Sequence, residues 1–124
     1  MCKVLLPIKP EYAYQIFMGT KKFEYRKNKF KRENVDSIVV YVTAPVKKII
    51  GEVELVEILE DSPLEIWKET HNKGGIKREE YDTYFKDKKK AFAYVLGKIK
   101  KYDKEKLLED LNISYAPQSY VYLD

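Results

Sequence analysis

The chemistry of this 124-residue sequence concentrates in one string, Gly19-Thr20-Lys21-Lys22-Phe23-Glu24-Tyr25-Arg26. Arg26 carries a rigid fork of donors that matches phosphate bidentately, whereas Lys21 is a mobile point charge, and Lys9 stands close enough upstream to join it. Lys22 adds a further cation. Glu24, set between the cations, is an acceptor able to take the exocyclic amine of a nucleobase. Gly19 permits the tight turn that opens the string.

These residues need elements to hold them. Residues 10 to 18 read as a short helix: Pro10 suits its first position, Glu11 favours the positive end of its dipole, and Tyr12, Ala13, Ile16 and Phe17 form an apolar stripe. Gly19 ends it. Residues 22 to 26 alternate like a half-buried strand, which puts Glu24 and Arg26 on one face and leaves Lys21 out of phase unless the chain bends after Gly19. Residues 36 to 43 are a β-branched run apolar on both sides, as in a strand covered on both faces. The apolar face of residues 48 to 59 shifts from Val53 and Leu55 to Val56 and Ile58, predicting a bulge or bend near 55. Ser62-Pro63-Leu64-Glu65 predicts a helix start with a capping box, with Leu64 and Trp67 facing the core. Gly74 and Gly75 break that helix, a second follows over roughly 77 to 86, and strands return at 90 to 99 and 119 to 123. Short helices among several strands without a βαβ rhythm indicate an α+β or barrel-like fold, in one domain over 1-124.

Hydrophobic residues make up 44% and charged residues 35% of the sequence, the balance of a packed globular protein. The first residues lack the apolar run of a signal peptide or membrane span, so a cytoplasmic location is expected, with no membrane partner. Cys2 has no partner for a disulfide, and with His71 as the sole histidine no zinc-type cluster is expected, nor any cofactor. The net charge of +4 is mild, but cations crowd residues 21 to 32 and again 86 to 104, with acids concentrated between them. Such polarity steers a polyanion. Among the 11 tyrosines, Tyr41 and Tyr120 are the candidates for stacking on unpaired bases. His71 reads as a capping residue at a helix end, and Lys88, Lys89 and Lys90 as a solvated loop.

The string from Gly19 to Arg26 fits G-x-K-x-x-E-x-R and resembles the signature of ASCH domains, relatives of the PUA fold. Leu6-Pro7-Ile8-Lys9-Pro10, Gly51-Glu52-Val53 and Pro117-Gln118-Ser119-Tyr120 resemble other elements of that family, so the similarity spans nearly the whole chain. The resemblance implies a small PUA-like β-barrel of five to six strands with short helices at its edge. It also implies a cleft lined by the motif and a role in binding RNA; the expected site is a basic cleft for RNA or a modified nucleoside, with Lys9, Lys21, Lys22, Glu24, Arg26, Tyr41, Ser119 and Tyr120 as its candidate residues.

An enzymatic alternative comes from the same resemblance. A small bacterial relative is an amidohydrolase that removes acetyl from 4-acetylcytidine with a Lys, Thr and Glu set. Lys21 matches the lysine, Glu24 stands where the threonine belongs, and Asn72-Lys73-Gly74-Gly75 occupies the region of the glutamate; Thr20 or Thr43 could supply a hydroxyl, although neither occupies the matching place. Ribonuclease activity, also suggested for relatives, would use Lys21 with Glu24 beside a 2′-hydroxyl. A third expectation is a protein partner docking on the polarised surface.

Overall fold

A computed structural model describes residues 2-123 as a six-stranded mixed sheet in the order β2-β5-β4-β3-β1-β6, with short helices on its faces. β1 (Cys2–Ile8) runs parallel to β3 (Val35–Val42), which pairs antiparallel with β4 (Lys48–Asp61), and β4 with β5 (Ala91–Lys106). β2 (Phe23–Arg26) pairs with the first residues of β5 and β6 (Val121–Leu123) with β1. The two outermost strands do not pair with each other, so the sheet stays open where a closed barrel was expected. Their shortness is the physical reason, because strands of four and three residues offer too few ladder bonds to close the ring.

β3 is covered on both faces, as its composition requires. Ile38, Val40 and Val42 join the main core, whereas Val39 and Tyr41 pack with Leu5 and Ile49 under the C-terminal segment that supplies Leu108, Leu111 and Ile113. The register of β4 on β5 shifts on both sides of Leu55, at the predicted bulge. β5 runs seven residues beyond its expected end, and only Phe92 to Val95 pair with β2. The rest of β5 is therefore a free edge, and its lysines at 98, 100, 101 and 104 keep that edge from pairing with another chain. β1 continues through Pro7 because β6 covers only Lys3 to Leu5, which leaves the strand edge open where the proline lacks its donor.

α1 (Pro10–Met18) lays Ala13 and Ile16 on the main core and ends at Gly19, whose φ of 84° belongs to the left-handed region. α2 (Pro63–Thr70) starts at Ser62, whose hydroxyl accepts from the Glu65 amide at 3.3 Å. The expected return bond from Glu65 is replaced: the Ser62 amide donates to Asp61 at 2.7 Å. Leu64 is exposed, not core-facing, and Ile66 takes its place with Trp67 beside it. A single 3-10 turn at His71–Lys73 leads through Gly74 and Gly75 to α3 (Arg78–Tyr84). There Tyr81 and Phe85 meet Tyr25 edge to face at 5.1 and 6.4 Å, forming a small aromatic core of their own. No helix among the described residues is long and apolar enough to cross a membrane.

Candidate functional site

Gly19 turns the chain back under α1, so that the amides of Thr20 and Lys21 both reach the Gln15 carbonyl, at 3.0 and 3.2 Å. The next amide, that of Lys22, bonds the Lys73 carbonyl at 2.8 Å, and the Lys22 carbonyl accepts from Leu96 at 3.0 Å. This bend puts the Lys21 side chain inside, although strand parity alone would not. Lys21 is only 2% exposed. Its Nζ donates to the Gly74 carbonyl and lies 5.1 and 4.9 Å from the ring centres of Tyr12 and Tyr25. It stands 3.9 Å from Glu24 Oε1.

Glu24 is also buried, and its other oxygen is held by Arg26, from Nε at 3.0 Å and Nη2 at 2.9 Å. Nη2 also donates to the Pro7 carbonyl at 2.6 Å. Arg26 thus ties β2 to β1 across the gap that no ladder closes. Burial pushes the Lys21 ammonium below its ordinary range; Glu24 opposes that shift and Arg26 adds to it. The Tyr25 phenol is pushed up, chiefly by burial, and it shares a 2.7 Å hydrogen bond with Thr70. The result is a row of Lys21, Glu24 and Arg26 in which a buried carboxylate separates two cations.

This row lies along a cleft of about 980 Å³ between the ends of β1 and β2, lined further by α1, α3, Thr43 and the loop carrying Pro117 and Gln118. Its charge corrects the expectation of a basic cleft. Lys9, Lys21 and Arg26 line it, but so do Glu11, Glu24, Glu79 and Glu80. Glu24 belongs to the motif, but Glu11 comes from α1 and Glu79 and Glu80 from α3, helix faces that sequence spacing did not connect to it.

Of the residues singled out in the sequence, the structure brings Lys9, Lys21, Glu24 and Arg26 to the cleft, and the other four lie elsewhere. Lys22 is not among the lining residues. Tyr41 is 3% exposed in the core beneath the C-terminal segment, so its ring offers no face to a base. Tyr120 turns toward Phe30, edge to face at 4.8 Å, and Ser119 is exposed outside the lining while Gln118 beside it lies within. Thr43 is at the cleft, whereas the Thr20 hydroxyl donates to the Gln15 carbonyl. His71 is exposed, with Nδ1 2.9 Å from the Trp67 carbonyl. Sequence reasoning missed Tyr12, Glu80, Thr83 and Tyr84, although Glu80, Thr83 and Tyr84 share one helical face at i, i+3 and i+4. Tyr12, part of the apolar stripe of α1, packs against the main core, and its hydroxyl donates to Glu80 Oε2 at 2.5 Å.

The comparisons with known proteins agree with this architecture. The family model described as "ASCH domain" matches residues 6–103, and the chain belongs to that family. An ASCH domain-containing ribonuclease of Zymomonas mobilis is 28% identical over 94 residues, 76% of this chain and 64% of that protein. The crystal structure of ASCH from Zymomonas mobilis superposes with a TM-score of 0.90 at 25% identity, covering 98% of this chain and 87% of that one. Two longer relatives from Ureaplasma parvum also match. ATP synthase subunit alpha is 33% identical over 97% of this chain, and large ribosomal subunit protein uL22 is 36% identical over 69% of it. The chain spans 15% and 28% of those two proteins.

Proposed function

We propose that the cleft seats one unpaired nucleotide of an RNA strand and that Lys21, supported by Glu24, cleaves the backbone there. The observation that carries this reading is the buried Lys21–Glu24 pair, 3.9 Å apart, along a cleft large enough for a nucleotide. Membership of the ASCH family and the similarity to a protein named as a ribonuclease support it. The near balance of cations and carboxylates in the lining suits a base more than a run of phosphates, so a single splayed nucleotide fits better than a duplex. Thr43, Thr83 and Gln118 supply neutral polar groups for a base edge, and Tyr84 an aromatic wall.

In this mechanism Lys21, whose charged form is disfavoured by burial, takes the proton of the 2′-hydroxyl. The 2′-oxygen attacks phosphorus, the bond to the 5′-oxygen breaks, and the proton returns from Lys21 to that leaving oxygen. A 2′,3′-cyclic phosphate and a 5′-hydroxyl result. Glu24 stabilises the transient ammonium. Arg26 keeps its Nη1 hydrogens free of any protein acceptor among the described residues, available to a phosphate oxygen.

The test uses an unpaired RNA oligonucleotide and its 2′-deoxy counterpart. Cleavage of the first, binding without cleavage of the second, and loss of cleavage in Lys21→Ala are the expected results. Cleavage that survives Lys21→Ala, or no binding of either strand, overturns the reading. Amide hydrolysis ranks below it, because the region assigned to a glutamate supplies the Gly74 carbonyl to Lys21 and the threonine position holds Glu24, already paired with Arg26. Acetate release from 4-acetylcytidine that depends on Lys21 would reverse that order.

A further inference from the structure

Lys21 lines the cleft and is nevertheless 2% exposed, so the group assigned the chemistry is shut away from anything the cleft admits. What covers it is identifiable. The Tyr12 ring stands 5.1 Å from Nζ, and its hydroxyl is bonded to Glu80 Oε2 at 2.5 Å, which joins α1 to α3. A second bond from α1, from Gln15 Nε2 to the Gly75 carbonyl at 3.2 Å, reaches the loop before α3 on the Gly74 side. The acceptor of the Tyr12 phenol is a carboxylate, which favours this bond over a neutral one although Glu80 itself is exposed.

We propose that Glu80 is a specificity-determining residue of this cleft: bonded to Tyr12, it holds the ring over Lys21, and a substrate reaches Lys21 only by displacing the Glu80 carboxylate. The nature of that substrate rests on the RNA reading above, whereas the covering of Lys21 does not. A nucleotide phosphate suits the exchange, since one of its oxygens can take the phenol donor that Glu80 gives up. The Glu79 side chain beside it has no hydrogen bond or ion pair among the described residues, so the approaching anion also meets like charge. A ligand must offer the phenol a good acceptor to offset that repulsion. Glu80 thereby filters out weak acceptors.

The experiment acylates the full chain with limiting acetic anhydride and follows individual lysines by peptide mass spectrometry. Lys47, which is exposed, serves as the internal reference. Relative to Lys47, Lys21 should react about fivefold faster or more in Glu80→Ala and Tyr12→Phe than in the unaltered chain, as expected when about 1 kcal/mol of closure is removed. Equal reactivity in all three overturns the proposal. Should Glu80→Ala fold poorly, Glu80→Gln keeps an acceptor for Tyr12 and removes only the charge. In that variant an unpaired RNA oligonucleotide should bind about threefold to tenfold more tightly. Unchanged or weaker binding, with the unaltered chain binding normally, overturns the role of Glu80 in selection. If neither protein binds RNA, the RNA reading fails, and acylation alone decides whether Glu80 covers Lys21.

Discussion

A lysine among buried residues carries a cost that pH can report. Lys21 loses its hydration, and the Glu24 carboxylate at 3.9 Å returns only part of it, so the folded-state pKa lies below the ordinary 10.5. Below that folded value the lysine is protonated in both states, and the whole cost of burying its charge is present. Between that value and 10.5 the unfolded chain holds a proton that the folded chain has released, so stability rises with pH across this window. Lys21→Met has no group to titrate and should lack the rise. Denaturant midpoints of the two proteins, measured from about pH 7 to about pH 10, check this; parallel curves refute it. The residue types of this row were legible in the sequence, and their mutual geometry was only half legible. Strand period joins Glu24 to Arg26, but the inward turn of Lys21 depends on a partner carbonyl at Gly74, which lies 53 residues away.

Elements of ordinary propensity create that partner. α2 ends in a 3-10 turn, and Gly74 then passes so close to Tyr25 that any Cβ there would overlap its hydroxyl, itself bonded to Thr70 at 2.7 Å. Gly75 follows with a φ of 64°, and a Cβ on it would sit 2.6 Å from Gln15 Oε1 and 3.1 Å from the Lys21 side chain. The glycine pair was read from the sequence as a helix breaker. Its second role, a close backbone approach that delivers a carbonyl to Lys21, needed the packing of β2 against α2 to become visible. Gly74→Ala should therefore destabilise by about 1–3 kcal/mol through overpacking and also expose Lys21 by moving its acceptor away. Denaturant unfolding gives the first quantity, and acylation of Lys21 gives the second. A variant as stable as the parent would show that the segment yields without cost. By contrast, α1, the Gly19 cap, the Ser62 cap and the bulge near Leu55 were all readable, because each depends on neighbours within a few residues. Leu64 misled because a four-residue window could not tell which side of α2 meets the core.

The sheet as a whole remains open because its two edge strands are short, and the Arg26 bond to Pro7 together with the aromatic groups around the opening substitutes for a closing ladder. The strands from β2 to β6 were legible in outline, whereas β1 was assigned no range from the sequence; closure was not legible, since it depends on strand length and tilt summed around the ring. Tyrosines that line the cleft (Tyr12, Tyr25 and Tyr84) and that pack in the cores beside it (Tyr81 and Tyr94) share a vulnerability. Burial, the largest cause for each, pushes the phenols of Tyr12, Tyr25, Tyr81, Tyr84 and Tyr94 above the ordinary 10.0. The folded chain then keeps these protons where the unfolded chain loses them, so their stabilising contribution is complete below pH 10.0 and is lost as pH rises beyond it. This loss begins at pH 10.0, before the gain from Lys21 is complete at 10.5, so the two oppose each other at the alkaline end. Alkaline unfolding should therefore be cooperative, with tyrosinate absorbance and loss of β-structure appearing together. Tyr94, whose hydroxyl donates to the Asn28 carbonyl at 2.6 Å, gives the control. Tyr94→Phe should be less stable by about 1 kcal/mol at neutral pH and fall less steeply above pH 10, so that the two curves converge. Tyrosinate that forms gradually while the β-structure persists would show that these phenols ionise in the folded state, and the aromatic surround of the opening would then be looser than its packing indicates.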